Sequence, residues 1–124
     1  MGADNFSGLK VLVAEDSPPM RLVIKTYLGK LGISPQFAEN GQEALRMLNE
    51  ESFDLAFVDV HMPEKDGREV VKKIRKQGLK LPIIAVTTAD DPDLLQSCID
   101  SGYNSVLPKP IVKEDVFRLV EKFS

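Results

Sequence analysis

The sequence predicts a three-layer α/β fold, with a five-stranded parallel sheet covered by helices on both faces. Short apolar runs alternate along the chain with segments of helical 3–4 spacing. The apolar runs show little polar alternation, which is typical of strands buried on both faces of a parallel sheet. Residues that favour helix ends bound the helical segments. We therefore expect five strand–helix units in one domain.

The first unit has clear boundaries. Residues 9–14 are apolar apart from Lys10 and predict a buried strand. Ser17 is a favoured N-cap, and Pro18 suits the first helical position. Gly32 predicts the end of this helix. The helix's apolar face is formed by Met20, Val23, Ile24, Tyr27, Leu28 and Leu31.

The next two units follow the same logic. A weaker strand over 34–38 precedes Asn40 and Glu43, whose spacing resembles a capping box. Residues 55–58 predict the third strand, and a helix begins near Asp66. The two helices are expected to bury Ala44, Leu45, Leu48, Val70, Val71 and Ile74.

The last two units complete the alternation. Residues 83–86 predict the fourth strand, and Asp91-Pro92 predicts a capped helix start. Gly102 suits that helix's end, and residues 105–107 predict a short fifth strand. The buried helix faces are expected to contain Leu94, Leu95, Cys98 and Ile99, then Val116, Leu119, Val120 and Phe123.

Polar side chains follow the predicted strands. Right-handed crossovers limit the topologies, and we expect the flavodoxin-like order 2-1-3-4-5. The carboxyl ends of parallel strands lie at one edge of the sheet, with a crevice between strands one and three. The residues at this edge are Glu15, Asp16, Asp59, Thr87 and Lys109.

Three carboxylates at one edge of the sheet would repel one another. At ~4 Å and an effective dielectric of about 20, each like-charged pair costs on the order of 4 kcal/mol. Such a cluster takes up protons or binds a metal ion. With oxygen ligands and no thiolate nearby, the pattern favours Mg²⁺. A lysine opposite the carboxylates suits phosphoryl transfer, where positioning and charge neutralisation are most of the catalysis.

Bulk properties restrict the class of protein. A length of 124 residues suits one domain, and the net charge of −3 argues against general nucleic-acid affinity. No apolar run approaches the ~20 residues of a membrane span, and the N-terminus lacks a secretory signal. We expect a cytoplasmic protein without membrane association, with an N-terminal extension at 1–8 and one domain at 9–124.

Four motifs carry a resemblance to a known family. Each is weak alone, but their order and spacing are specific. Over residues 9–123 the chain resembles a response-regulator receiver domain, the phosphoacceptor module of two-component signalling, similar to single-domain chemotaxis regulators. The motifs are Val11-Leu12-Val13-Ala14-Glu15-Asp16-Ser17, Asp59-Val60-His61-Met62-Pro63 with Asp66-Gly67, Val86-Thr87-Thr88-Ala89, and Lys109-Pro110.

The resemblance implies a role for each acidic residue. Asp59 would accept a phosphoryl group from a histidine kinase or a histidine phosphotransfer protein. Asp16 and Asp59 would bind Mg²⁺ directly, together with the backbone carbonyl of His61. Glu15, at a position where the family often has Asp, would act mostly through a metal-bound water.

Further implications concern the switch itself. Thr87 and Lys109 would contact the phosphoryl group, and the bond before Pro110 would be cis. The domain would promote its own phosphorylation and dephosphorylation without being an enzyme for other substrates. It would bind a downstream protein, contact no nucleic acid directly, and be a monomer or weak dimer. It would act alone, or as part of a hybrid kinase or larger regulator.

Val106 departs from the family pattern, and His61 and Ala89 occupy the two positions that flank the family's active site. Val106 stands where the family usually has Tyr or Phe, so we expect the binding face to change by helix or loop movement. Tyr103 is nearby, but we do not expect it to substitute. His61 is expected to face solvent, and small Ala89 should leave the site open to water.

Three alternatives remain open. A haloacid-dehalogenase-like phosphohydrolase also uses an aspartyl phosphate, but it places Asp-x-Asp after its first strand, where this chain has Glu15-Asp16-Ser17. A flavodoxin-like FMN-binding module would need a phosphate loop where this chain has Ser17-Pro18-Pro19. The third alternative is a receiver that is no longer phosphorylated and acts only as a protein-binding surface.

Overall fold

The fold is a five-stranded parallel sheet between two layers of helices, and the strand order 2-1-3-4-5, with the strands numbered along the chain, confirms the prediction. The structure, a computed structural model, describes residues 6–62, 65–88 and 91–124. The strands are β1 (Val11–Ala14), β2 (Gln36–Ala38), β3 (Leu55–Asp59), β4 (Ile83–Thr87) and β5 (Ser105–Pro108). The helices are α1 (Pro18–Gly29), α2 (Gly41–Glu50), α3 (Gly67–Lys76), α4 (Pro92–Ser101) and α5 (Lys113–Phe123).

Some predictions concern residues outside these ranges. The expected roles of Pro63 and Ala89 lie outside the described residues, as do the first five residues of the proposed N-terminal extension. In the part of the chain that the structure describes, no helix combines the length and the apolar character needed to cross a bilayer.

Two apolar cores lie on opposite faces of the sheet. One contains the buried faces of α2 and α3 with Cys98 of α4, and the other contains those of α1 and α5. The strands β1, β3 and β4 are buried along their whole length. Their continuous burial explains why the apolar runs of the sequence lack polar alternation.

Local capping fixes most of the helix starts. The Asn40 side chain accepts a hydrogen bond from the Glu43 amide at 2.8 Å, and the Glu43 carboxylate accepts one from the Glu39 amide at 2.8 Å. Asp66 and Asp91 cap α3 and α4 by accepting hydrogen bonds from the amides of Arg68 and Asp93, two residues further along the chain. These side chains satisfy amides that have no partner within the helix, which is why the sequence marks these starts well.

The end of the first helix and the burial of some predicted core residues differ from the prediction. The first helix ends at Gly29 rather than at Gly32, which lies in the following turn with φ of 82°. Ile99 was predicted to be buried but is 49% exposed, because α4 is fully buried against the protein only through Cys98 and Ser101. The predicted core residues Leu95 and Phe123 are half-buried.

Gly67 allows a close approach between the start of α3 and the end of β3. Its amide donates to the Val60 carbonyl at 2.8 Å. A Cβ at this position would collide with the Asp59 carbonyl and with the Tyr103 hydroxyl. The absence of a side chain at Gly67 therefore positions the segment that carries Asp59.

We predict opposite effects for alanine at two glycines. Gly67→Ala should lower the free energy of unfolding by about 2–3 kcal/mol, because main-chain atoms of Asp59 must move to admit the methyl group. Gly29→Ala is the control, since no described atom beyond its chain neighbours and the backbone of its own helix lies within 4 Å of the place that the added methyl group would occupy. It should raise the free energy of unfolding by about 0.5 kcal/mol. Urea denaturation measures both, and equal stabilities for the two variants would contradict this packing.

Candidate functional site

The carboxyl edge of the sheet brings the predicted polar residues together. Glu15 and Asp16 directly follow β1, and Asp59 is the last residue of β3. One carboxylate oxygen from each of these three residues lies within 4.8 Å of the others. Thr87 ends β4, and Lys109 follows β5. The convergence predicted from the strand alternation is therefore present.

Lys109 is held beside two of the carboxylates. Its Nζ lies 3.4 Å from Asp59 Oδ2 and 4.0 Å from Glu15 Oε1. Its amide donates a hydrogen bond to the Thr87 carbonyl at 2.8 Å, which ties the main chain at Lys109 to the end of β4. The bond between Lys109 and Pro110 is cis, as the family resemblance implied. One ammonium thus offsets part of the negative charge.

Burial and a neighbouring charge both disfavour ionisation of Glu15. It is 1% exposed, and burial together with the neighbouring Asp59 charge raises its pKa from 4.5 to about 7. Its Oε2 accepts a hydrogen bond from the Ser17 amide at 3.1 Å. Its buried Oε1 has no hydrogen-bond donor among the described residues, although Lys109 lies nearby. A buried acceptor without a donor indicates a place for a cation or an ordered water.

Asp59 is buried but keeps polar contacts. It is 3% exposed, and its Oδ1 accepts a hydrogen bond from the His61 amide at 3.3 Å. The His61 side chain itself is exposed, as predicted. Asp16 is also exposed, so one side of the cluster is open to solvent. A small charged molecule can therefore reach the carboxylate cluster from solvent without unfolding of the site.

Thr87 supplies a buried hydroxyl at the end of β4. It is among the few buried polar residues, and its Oγ1 has no hydrogen-bond partner within the described ranges. A buried hydroxyl without a partner costs roughly 1–3 kcal/mol. A ligand oxygen that reaches Thr87 would recover that cost.

The donor set fits a hard divalent cation. It consists of carboxylate oxygens with a net excess of negative charge over the single Lys109 ammonium. The Glu15 Oε1 atom without a donor is the observation that tests the fit, because a cation would satisfy it. Oxygen-only sites with one or two carboxylates are typical of Mg²⁺.

Sequence reasoning missed two contacts that support the site. Arg21 donates from Nη1 to the Glu15 carbonyl at 2.8 Å and so ties α1 to the end of β1. Tyr103 donates its hydroxyl to the Val58 carbonyl at 3.1 Å. Nothing in the local sequence separates this arginine from an exposed helix cation. The tyrosine gave a signal, since it is a large aromatic residue just before a strand, but its partner is 45 residues away.

Comparison with known proteins identifies the family. The family model of the response regulator receiver domain matches residues 11–121, and the chain therefore belongs to this family. Receiver domains are the phosphoacceptor modules of two-component signalling, and membership of this family replaces the phosphohydrolase and FMN-binding alternatives.

Relatives include kinases and response regulators. Sensor histidine kinase RcsC of Salmonella typhimurium is 36% identical over 109 residues, which are 88% of this chain and 12% of that protein. Two-component response regulator ARR22 of Arabidopsis thaliana is 35% identical over 115 residues, covering 90% of this chain and 81% of that protein. The chain thus spans a small part of the sensor kinase and most of the regulator.

Solved structures share the fold closely. Chemotaxis response regulator CheY4 of Vibrio cholerae has a TM-score of 0.86 at 30% identity, covering 94% of this chain and 98% of that one. The receiver domain of sensor histidine kinase PA1611 from Pseudomonas aeruginosa has a TM-score of 0.86 at 28% identity, covering 94% of this chain and 97% of that one. That receiver holds a magnesium ion in its active site cleft.

The raised pKa of Glu15 predicts a pH-dependent stability. A carboxyl whose folded-state pKa, about 7, lies above its ordinary 4.5 is penalised when it ionises. The contribution of Glu15 to the free energy of unfolding therefore falls as pH rises from about 4.5 to about 7. Glu15→Gln cannot ionise, so in EDTA it should be more stable than wild type at about pH 8 and lose that advantage at about pH 5.

Thermal denaturation across this pH range measures the difference. Glu121→Gln, at an exposed position on α5, is the matched control and should show no such pH-dependent gain. A stability difference between Glu15→Gln and wild type that is constant from about pH 5 to 8 would contradict the proposed penalty.

Proposed function

We propose that Asp59 is the phosphoacceptor of this receiver domain. The observation that carries the proposal is a buried Asp59 carboxylate, 3.4 Å from the Lys109 ammonium and clustered with Glu15 and Asp16. One Asp59 oxygen forms a bond to the donor phosphorus as the bond from phosphorus to the donor's histidine nitrogen breaks. The leaving imidazole keeps that electron pair and takes up a proton.

A magnesium ion completes this proposed site. Glu15, Asp16, Asp59 and the backbone carbonyl of His61 would hold it. When bound, Mg²⁺ neutralises negative charge and orients phosphoryl oxygens, which is the main contribution that phosphoryl transfer needs. The unpartnered Glu15 oxygen and the excess of carboxylates support this assignment.

Lys109 and Thr87 stabilise the phosphorylated state. Lys109 already lies beside Asp59 and would pair with the phosphoryl oxygens. The Thr87 hydroxyl, buried without a partner among the described residues, would donate to another oxygen. The same groups position the acyl phosphate for attack by water, so the domain would also promote its own dephosphorylation.

The contacts of Lys109 and Thr87 with the phosphoryl group are strong enough to shift the conformational equilibrium in part. Charge-assisted hydrogen bonds contribute roughly 1.5–3 kcal/mol each, or about 3–6 kcal/mol together. Complete reversal of a 1:99 equilibrium needs about 5.5 kcal/mol. We therefore expect phosphorylation to shift the conformational population rather than to replace one state by another.

The output surface lies on α4, β5 and α5. A groove there is lined by half-buried Leu95 and Val106, exposed Ile99, and Arg118. Val106 has no ring to turn inward, so the change at this surface would come from movement of helix α4. A downstream protein would bind this surface, and a histidine kinase or phosphotransfer protein would supply the phosphoryl group.

A receiver that is not phosphorylated and serves only as a binding surface is the second candidate. The valine at 106 favours it, because the usual aromatic side chain of the switch is missing. Response to phosphorylation separates the two candidates.

The phosphoacceptor assignment is tested with a small donor. With acetyl phosphate and Mg²⁺, wild type should gain one phosphoryl group at Asp59, and Asp59→Asn should gain none, because an amide cannot act as the nucleophile. Intact-mass spectrometry measures the gain. Asp100→Asn, on the exposed face of α4, is the control and should label like wild type. Continued labelling of Asp59→Asn at the wild-type level would reject the assignment.

The role of Thr87 is tested with beryllofluoride, which mimics the phosphoryl group. In wild type, beryllofluoride with Mg²⁺ should shift amide resonances in α4 and β5. Thr87→Ala should bind beryllofluoride but lose at least about half of that shift, because one of the two stabilising contacts is removed. Thr88→Ala, at the adjacent exposed position, is the matched control. A full response in Thr87→Ala would place the switch elsewhere.

A further inference from the structure

Tyr103 lies in the core beneath the proposed site. It is 3% exposed and belongs to the apolar cluster that also contains Val58, Ala85 and Cys98. Its hydroxyl donates to the Val58 carbonyl at 3.1 Å, one residue before Asp59. Buried hydroxyls need a partner, and this one uses the main chain of β3.

The Tyr103 hydroxyl also lies against the start of α3. A Cβ on Gly67 would collide with both this hydroxyl and the Asp59 carbonyl, so both groups lie next to Gly67. The Gly67 amide donates to the Val60 carbonyl, and the Val60 amide donates to the Val86 carbonyl in β4. The hydroxyl therefore lies within a main-chain network that surrounds the Asp59 peptide.

Burial keeps Tyr103 in its donor form. Desolvation raises the pKa of the phenol well above its ordinary value of 10.0, and the nearby Cys98, Asp66 and Asp59 act in the same direction. The hydroxyl is therefore protonated at neutral pH and can donate to the Val58 carbonyl.

We propose that Tyr103 is a positioning residue for the phosphoacceptor site, holding the main chain of residues 58–61 through its hydrogen bond to the Val58 carbonyl. The inference rests on the proposed function, because this segment carries Asp59 and the His61 carbonyl. A bound metal requires ligands held in place, and a fixed segment loses less conformational freedom on binding. In the family the aromatic residue usual at position 106 turns between surface and core, whereas the ring of Tyr103 is buried and its hydroxyl is hydrogen-bonded.

The conservative variant Tyr103→Phe isolates the hydroxyl, since the ring still fills the core. We expect the Mg²⁺ dissociation constant, measured by calorimetry, to rise about tenfold, in line with the loss of groups that orient metal ligands. The amount of Mg²⁺ needed for half-maximal labelling by acetyl phosphate should rise to the same extent. At saturating Mg²⁺ the labelling rate should stay within about twofold of wild type, because Asp59 and Lys109 are unchanged.

A metal-free measurement accompanies these readouts. In EDTA, hydrogen exchange of the Val60 and Gly67 amides should become about tenfold faster in Tyr103→Phe, because their hydrogen bonds lie beside the lost contact. Tyr27→Phe removes a hydroxyl from the half-buried tyrosine of α1 and is the matched control. Ile24→Val, in the opposite core, controls for a general loss of stability.

The outcomes are distinct. Weaker Mg²⁺ binding and faster local exchange in Tyr103→Phe, but not in the two controls, support the inference. Equal Mg²⁺ affinity and equal amide exchange in Tyr103→Phe and wild type overturn it. The inference is also overturned if Ile24→Val loses as much Mg²⁺ affinity as Tyr103→Phe and its amides exchange as fast. If wild type is never labelled at Asp59, the proposed function fails, while the Mg²⁺ affinities and exchange rates still decide the role of Tyr103.

Discussion

Repulsion among three carboxylates at one edge of the sheet is the constraint on which the rest of this structure depends. Glu15, Asp16 and Asp59 bring ligand oxygens within 4.8 Å of one another, and the Lys109 ammonium offsets part of their charge. Burial and the neighbouring Asp59 charge together raise the pKa of Glu15, and one of its oxygens has no donor among the described residues. A site that is strained without a cation is well suited to recruit one.

The surrounding fold maintains this arrangement. Continuous burial of β1, β3 and β4 fixes the strand ends from which the charged residues extend. Arg21 donates a hydrogen bond to the carbonyl of Glu15, and the Lys109 amide donates one to the Thr87 carbonyl. Gly67 lets α3 begin directly against the main chain of Asp59. The stability of the two cores therefore supports a local arrangement that charge repulsion opposes.

Features with a local cause could be predicted from the sequence. Asn40, Asp66 and Asp91 cap helices through residues two or three positions away, and the strand alternation alone implied which side chains share an edge. Features that depend on distant partners could not. Ile99 has the spacing of a buried residue, but the packing of α4 leaves it exposed. The bond from Tyr103 to Val58 likewise joins elements that the sequence does not show to be neighbours.

The central claim is that a divalent cation allows the crowded carboxylates to accept a phosphoryl group at Asp59. Mass spectrometry of the wild-type chain after acetyl phosphate, with Mg²⁺ and with EDTA, tests it most directly. The account predicts a single modification, located on the peptide that contains Asp59, in Mg²⁺ and almost none in EDTA. Undiminished modification in EDTA, or a modification at a different residue, would contradict it.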